Sequence, residues 1–188
     1  MSTEHEPRTE PKSNRPRPIP VPDLIWAPVA VGGLVAAAGL FGLAVGQPWL
    51  FPSLGPTAFL QAESPELPSS NFRSTVVGHA VGLASAFVAV YLFGLADAPG
   101  VMATGHLTLA RVGASVLAVA LTMFGKTWLK ASHPPAAATT LLISLGGLKA
   151  TAGEAASVAA GVLIVAALGE GLRRVRLEFL VNPDGGRD

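Results

Sequence analysis

Long stretches of this chain are apolar on every side, with the charges collected between them. Trp26 to Gly46 contains no charged residue. At a rise of about 1.5 Å per residue, such a run spans the roughly 30 Å of a bilayer's hydrocarbon core. Val76 to Leu95, Val112 to Gly125 and Ala155 to Gly169 share this character. The third reaches full length once Leu107 to Arg111 are added at its interfacial end, where an arginine can snorkel. The pattern therefore predicts four long transmembrane helices.

Two further uncharged runs, Trp49 to Ala62 and His133 to Gly147, open with helix breakers: Pro52, Gly55 and Pro56 in one, Pro134 and Pro135 in the other. Proline suits the first turn of a helix and harms its middle, so each run is expected to be an irregular entry followed by a short helix. Displacing the sequence on itself by 79 positions aligns the two runs without a gap. Gly46 falls on Gly125, Trp49 on Trp128, Leu50 on Leu129, Ser53 on Ser132, Pro56 on Pro135 and Ala58 on Ala137. Ala80/Ala159 and Gly82/Gly161 keep the same register. Shared composition accounts for Ala and Gly but not for Trp, Ser and Pro, so the unit of helix, broken segment and helix is expected to occur twice, over about 26–95 and 107–172.

Whether the broken segments cross the membrane decides the relation of the two units. If they cross, eleven of the Lys and Arg residues fall on one side, and only Arg111 and Lys149 oppose them. Re-entry would spread the charges more evenly, so the positive-inside rule favours crossing. An odd number of crossings per unit makes the repeats inverted. Many transport proteins share this arrangement, with a site near the midplane where two discontinuous helices meet. The expected architecture is all-α: a polytopic bundle of four long spans and two short broken segments. Residues 1–25, with six prolines and four basic residues, read as a disordered, polyproline-like tail that is retained rather than cleaved as a signal. Residues 173–188 read as a basic interfacial segment and tail.

Composition narrows the function. Only 13% of residues are charged, about half the usual soluble density. The absence of cysteine removes disulfide scaffolds and thiol chemistry. A net charge of +1 without a basic, aromatic-interleaved stripe excludes nucleic acid as a partner. Nucleophile elbows, H-E-x-x-H helices, phosphate loops and carboxylate pairs within a span are missing, so no enzyme is expected, and neither a metal nor any other cofactor.

Candidate chemistry lies at the broken segments. A helix that starts inside the membrane offers free N–H groups and a positive macrodipole end, which attract anions. Ser53, Gly55, Pro56 and Thr57 surround one such start; Ser132, His133, Pro134, Pro135, Thr139 and Thr140 surround the other. His79, near the start of the second span, is costly there without a partner or water. These residues make a candidate anion site. The competing reading is a non-conducting scaffold or accessory subunit whose broken segments pack dry. Partners expected besides lipid and a small anion are further copies of the chain, because so few helices enclose a pathway poorly.

The run Ser132-His133-Pro134-Pro135-Ala136-Ala137-Ala138-Thr139 resembles the signature that gives the HPP family of integral membrane proteins its name. Phe51-Pro52-Ser53-Leu54-Gly55-Pro56-Thr57-Ala58 and Gly78-His79 look like its other recurrent stretches, and the resemblance covers roughly Trp26 to Leu172. Some members of that family are implicated in nitrite transport. The resemblance therefore implies a transport protein or channel for a small inorganic anion such as nitrite, while the four long spans and the basic residues at both ends predict the bacterial inner membrane with both termini cytoplasmic.

Overall fold

Pro22 precedes the first helix and Glu178 follows the last; a computed structural model describes residues 22–178. Most of the Pro-rich N-terminal run and the C-terminal tail beyond 178 lie outside the described residues. The described residues form seven α-helices: α1 (Asp23–Val45), α2 (Leu54–Glu63), α3 (Phe72–Leu92), α4 (Val101–Thr104), α5 (Leu109–Trp128), α6 (Ala136–Ser144) and α7 (Ala152–Arg176). A 3-10 turn, Pro68–Ser70, precedes α3. The described residues contain no strand. Among them α1, α3, α5 and α7 are long and apolar enough to cross a membrane, whereas α2 and α6 are the two short helices of the broken segments.

Local chemistry sets the helix ends. Asn71, Thr108 and Thr151 each place a side-chain oxygen on a backbone N–H three residues ahead, capping α3, α5 and α7. Gly46 ends α1 in the left-handed conformation (φ 68°), while Gln47 N–H turns back to the Gly42 carbonyl at 2.8 Å. Two boundaries differ from the sequence reading. Asp23 to Ile25 belong to α1 rather than to the tail. Arg173 to Arg176 continue α7 rather than forming a separate segment, because cations in a last turn complement the negative end of the macrodipole.

Contacts between helix ends fix the direction of each span. Asp23 at the start of α1 pairs with Arg176 at the end of α7, and the Ser157 hydroxyl near the start of α7 donates to Gln47 just after α1. So α1 and α7 are antiparallel. Phe72 N–H, at the start of α3, donates to Glu170 near the end of α7 at 3.1 Å, and Tyr91 OH donates to the Ala150 carbonyl at 2.8 Å. So α3 also opposes α7 and runs parallel to α1. The chain between Gln47 and Phe72 must therefore return across the bundle, and α2 lies within that return. In the second half, Arg73 at the start of α3 donates to the Leu129 and Lys130 carbonyls after α5. Hence α5 opposes α3, and the segment holding α6 crosses back in its turn. Both broken segments traverse the bundle, and the two described chain ends lie at one face. That face carries Arg73, Lys130, Arg173 and Arg174; Arg111 and Lys149 lie toward the other.

The packing falls into two groups. In one, α1, α2 and α7 are mutually in contact around Ala38, Phe51, Leu54, Val158, Val162 and Val165. In the other, α5, α6 and α3 are in contact around Ala86, Ala89, Val90, Ala114, Ala118 and Ile143. Exchanging α1 with α5, α2 with α6 and α3 with α7 turns one set of helix contacts into the other, and α3 against α7 joins the two. The small core residues allow the close backbone approach that membrane bundles rely on. Glu170 accepts from Arg173 and Arg174, at the i+3 and i+4 spacing that favours such pairs on a helix.

Candidate functional site

Thr57 sits in the first turn of α2 and is fully buried, as are His133 just before α6 and Thr139 in its first turn; His79, two turns into α3, is 2% exposed. The return of α2 and α6 through the bundle brings all four together. Thr57 Oγ1 lies 2.9 Å from His79 Nε2 and 3.2 Å from His133 Nε2. His79 Nδ1 lies 2.7 Å from Thr139 Oγ1, and His133 Nδ1 lies 2.8 Å from the Ser69 carbonyl. The two imidazole rings are 5.0 Å apart, centre to centre.

Donor and acceptor identities constrain this chain of contacts. A carbonyl only accepts, so Nδ1 of His133 carries a hydrogen, and Nε2 of the neutral ring is an acceptor. One arrangement then satisfies every member. Thr139 donates to His79 Nδ1, His79 Nε2–H donates to Thr57, Thr57 donates to His133 Nε2, and His133 Nδ1–H donates to Ser69. A second arrangement needs only the Thr57 hydroxyl to rotate. Its hydrogen turns to the Ser53 carbonyl, 2.9 Å away, and a protonated His133 donates through Nε2 to the vacated lone pair. The same scaffold thus accommodates neutral and protonated His133 without moving a ring.

The other residues singled out by sequence divide sharply. Ser53 is fully buried, its carbonyl joins the cluster, and its hydroxyl has no hydrogen-bond partner. Ser132, Pro56 and Pro134 are exposed on the bundle surface and Gly55 is half-buried, so none of these four belongs to the buried cluster. Pro56, Pro134 and Pro135 instead line an apolar groove of about 620 Å³ together with Phe59, Leu60, Glu63 and Ala138. Pro56 is the third residue of α2 rather than its start, and Pro135 is the N-cap of α6. The expected free amides are not open at α6. Ala136, Ala137 and Ala138 N–H donate to the His133, Pro134 and Pro135 carbonyls, because the proline pair winds the entry into tight three-residue turns. At α2, Leu54 N–H is likewise engaged by the Phe51 carbonyl. What gathers at these starts is side-chain donors more than backbone ones.

A polar seam between α5 and α6 was not anticipated. Arg111, Ser115, Thr122 and Lys126 are all buried and lie within roughly 60° of one another around α5. Ser115 bonds Ser144 at 2.9 Å and Thr122 bonds Thr140 at 2.9 Å. Lys126 Nζ approaches the His133 carbonyl at 3.4 Å. Arg111 does not snorkel. It is 3% exposed and donates to the Ser144, Ala98 and Pro99 carbonyls, which places its charge at the negative end of α6 and ties down the loop before α4. The signal was present as hydroxyls and cations recurring on one face of an otherwise apolar helix, but each cation lies within a turn or so of a helix end, where an interfacial reading comes first.

Comparison with known proteins agrees with the motifs. No curated protein and no solved structure matches the chain. The family described as "HPP, transmembrane region" matches residues 16–177, all four long helices and both broken segments included. With that match covering most of its length, the chain is an integral membrane protein that belongs to the HPP transmembrane family.

Proposed function

We propose that this protein moves a small inorganic anion across the membrane through a site where α2 and α6 begin, and that nitrite, by the family resemblance, is a substrate. The observation that carries the reading is the Thr57 hydroxyl held between His79 and His133 in the bundle interior. Polar rings at such depth are retained where they bind or relay something, and converging donors compensate an anion leaving water. The two interchangeable hydrogen-bond arrangements support a proton travelling with the anion. The exchange-symmetric helix contacts and the antiparallel α3 and α7 support two inverted repeats. Homo-oligomerisation belongs to the same proposal.

Purified protein in liposomes tests this with nitrite, nitrate, formate and chloride at two pH values. Imidazole titrates near pH 6.5 in its ordinary state, and the protonated form is the one that accompanies the anion, so flux rises as pH falls. His133→Ala is expected to flatten that pH dependence. Absence of flux for every anion would favour the non-conducting scaffold, a reading supported by the internal closure of the neutral hydrogen-bond chain.

The face bearing Arg73, Lys130, Arg173 and Arg174 is proposed to be cytoplasmic, in the bacterial inner membrane, by the positive-inside rule. Reporter fusions before Met1 and after Asp188 should both report the cytoplasm; an external location for either would refute the orientation.

A further inference from the structure

We propose that the Lys126 ammonium is the anion-binding group of this protein, holding a small monovalent anion against the start of α6. The proposal deepens the transport reading and rests on it only for the anion's role as cargo. Lys126 is buried in the last turn of α5, and among the described residues no carboxylate lies within ion-pair distance of it. Its one hydrogen bond, to the His133 carbonyl, is long at 3.4 Å, and that carbonyl already accepts from Ala136 N–H. Two ammonium hydrogens are left over.

The surroundings add positive charge instead of removing it. α6 points its positive end at this place. The Arg73 guanidinium, bonded to the Leu129 and Lys130 carbonyls, lies on the same side. A buried cation beside a helix N-terminus is the reverse of the usual placement, and an anion is what reconciles it. Ser53, one helical turn from Thr57 in the same polar interior, holds a buried hydroxyl without a partner. The feature is confined to one half of the chain. In the gap-free register Lys126 faces Gln47, whose amide oxygen is taken by Ser157, while Thr122 and Ser115 face Leu43 and Ala36. Repetition of the fold has therefore been used asymmetrically, with the charge placed in the second half.

Equilibrium dialysis of the full chain in an uncharged detergent, with nitrite and formate as probes, tests the assignment without requiring transport. Wild type is expected to bind saturably, Lys126→Gln to lose at least tenfold in affinity, and Lys126→Arg to keep most of it. Binding absent in wild type, or unchanged in Lys126→Gln, overturns the proposal. A parallel sample with phosphatidylglycerol separates a free anion from a lipid headgroup; complete displacement of the probes by the lipid would assign the site to the headgroup and overturn the small-anion assignment. Should Lys126→Gln fail to fold, wild type alone decides. Bound nitrite must slow acetylation of Lys126 by acetic anhydride, read by peptide mass, and an unchanged rate refutes the site. Binding without flux would sink the transport reading and leave the site standing. Flux with binding indifferent to Lys126 would do the opposite.

Discussion

Thr57→Val is expected to lower anion flux by about tenfold or more and to destabilise the bundle, although valine has nearly the shape of threonine. The hydroxyl is hydrogen-bonded to both rings, so its loss leaves His79 Nε2 and His133 Nε2 facing a methyl group. A buried polar group without a partner costs about 1–3 kcal/mol, and two are exposed to that cost here. The rings are then free to tilt toward other partners, which removes the shared geometry on which the proposed anion and proton binding depends. Thr57→Ser keeps the hydroxyl and should recover most of the flux, with some loss from the missing methyl. Liposome flux and thermal melting in detergent, measured on the same preparations, separate the two effects. Wild-type flux together with wild-type melting in the valine variant would show that the hydroxyl joins nothing of consequence.

The parts of this molecule that were legible in sequence are those specified by local chemistry. Unbroken apolar runs marked α1, α3, α5 and α7, because membrane spans need no period. Prolines at 52, 56, 134 and 135 marked the broken segments, because proline suits the first turn of a helix and clusters of it near glycine interrupt a long one, whereas the lone Pro28 is carried within α1. Ser53, Thr57, His79, His133 and Thr139 stood out as polar groups in apolar surroundings, and the structure brings all five to one place. What escaped depended on partners. Ser69 matters through its carbonyl, which no inspection of side chains reveals. Lys126 and Arg111 read as interfacial until α6 is packed on α5 and covers them. The amides of Ala136 to Ala138 were expected to be open, and the turn geometry of the His-Pro-Pro entry closes them. Ser53 and Ser132 align in the 79-residue register, yet one is buried and the other exposed, so correspondence in sequence did not carry over to environment.

Gly82→Val is expected to be among the most damaging substitutions in the bundle, and to act on the site without touching it directly. A Cβ at position 82 would lie 2.8 Å from Thr140 Oγ1 and 2.9 Å from the Ala136 carbonyl. One helical turn earlier, a Cβ on Gly78 would lie 2.7 Å from His133 Cβ. The two glycines thus form the strip of α3 on which α6 rests. The Thr140 hydroxyl can rotate away, but the Ala136 carbonyl is helix backbone and cannot, so α3 and α6 must separate. Separation stretches the Thr122–Thr140 bond and draws His133 from Thr57. Overpacking of this kind costs about 1–3 kcal/mol and occasionally more, with the upper end expected for a branched side chain against backbone. Gly161 aligns with Gly82 in the 79-residue register and provides a control. The nearest neighbours of a Cβ there are the Phe51 ring at 3.3 Å and the Leu54 side chain at 3.5 Å, both able to shift. Gly161→Ala should therefore melt close to wild type, while Gly82→Val melts well below it and loses flux. Equal melting of the two variants would mean that α6 does not depend on Gly82 for its seat, and that the approach of α3 to α6 is set elsewhere.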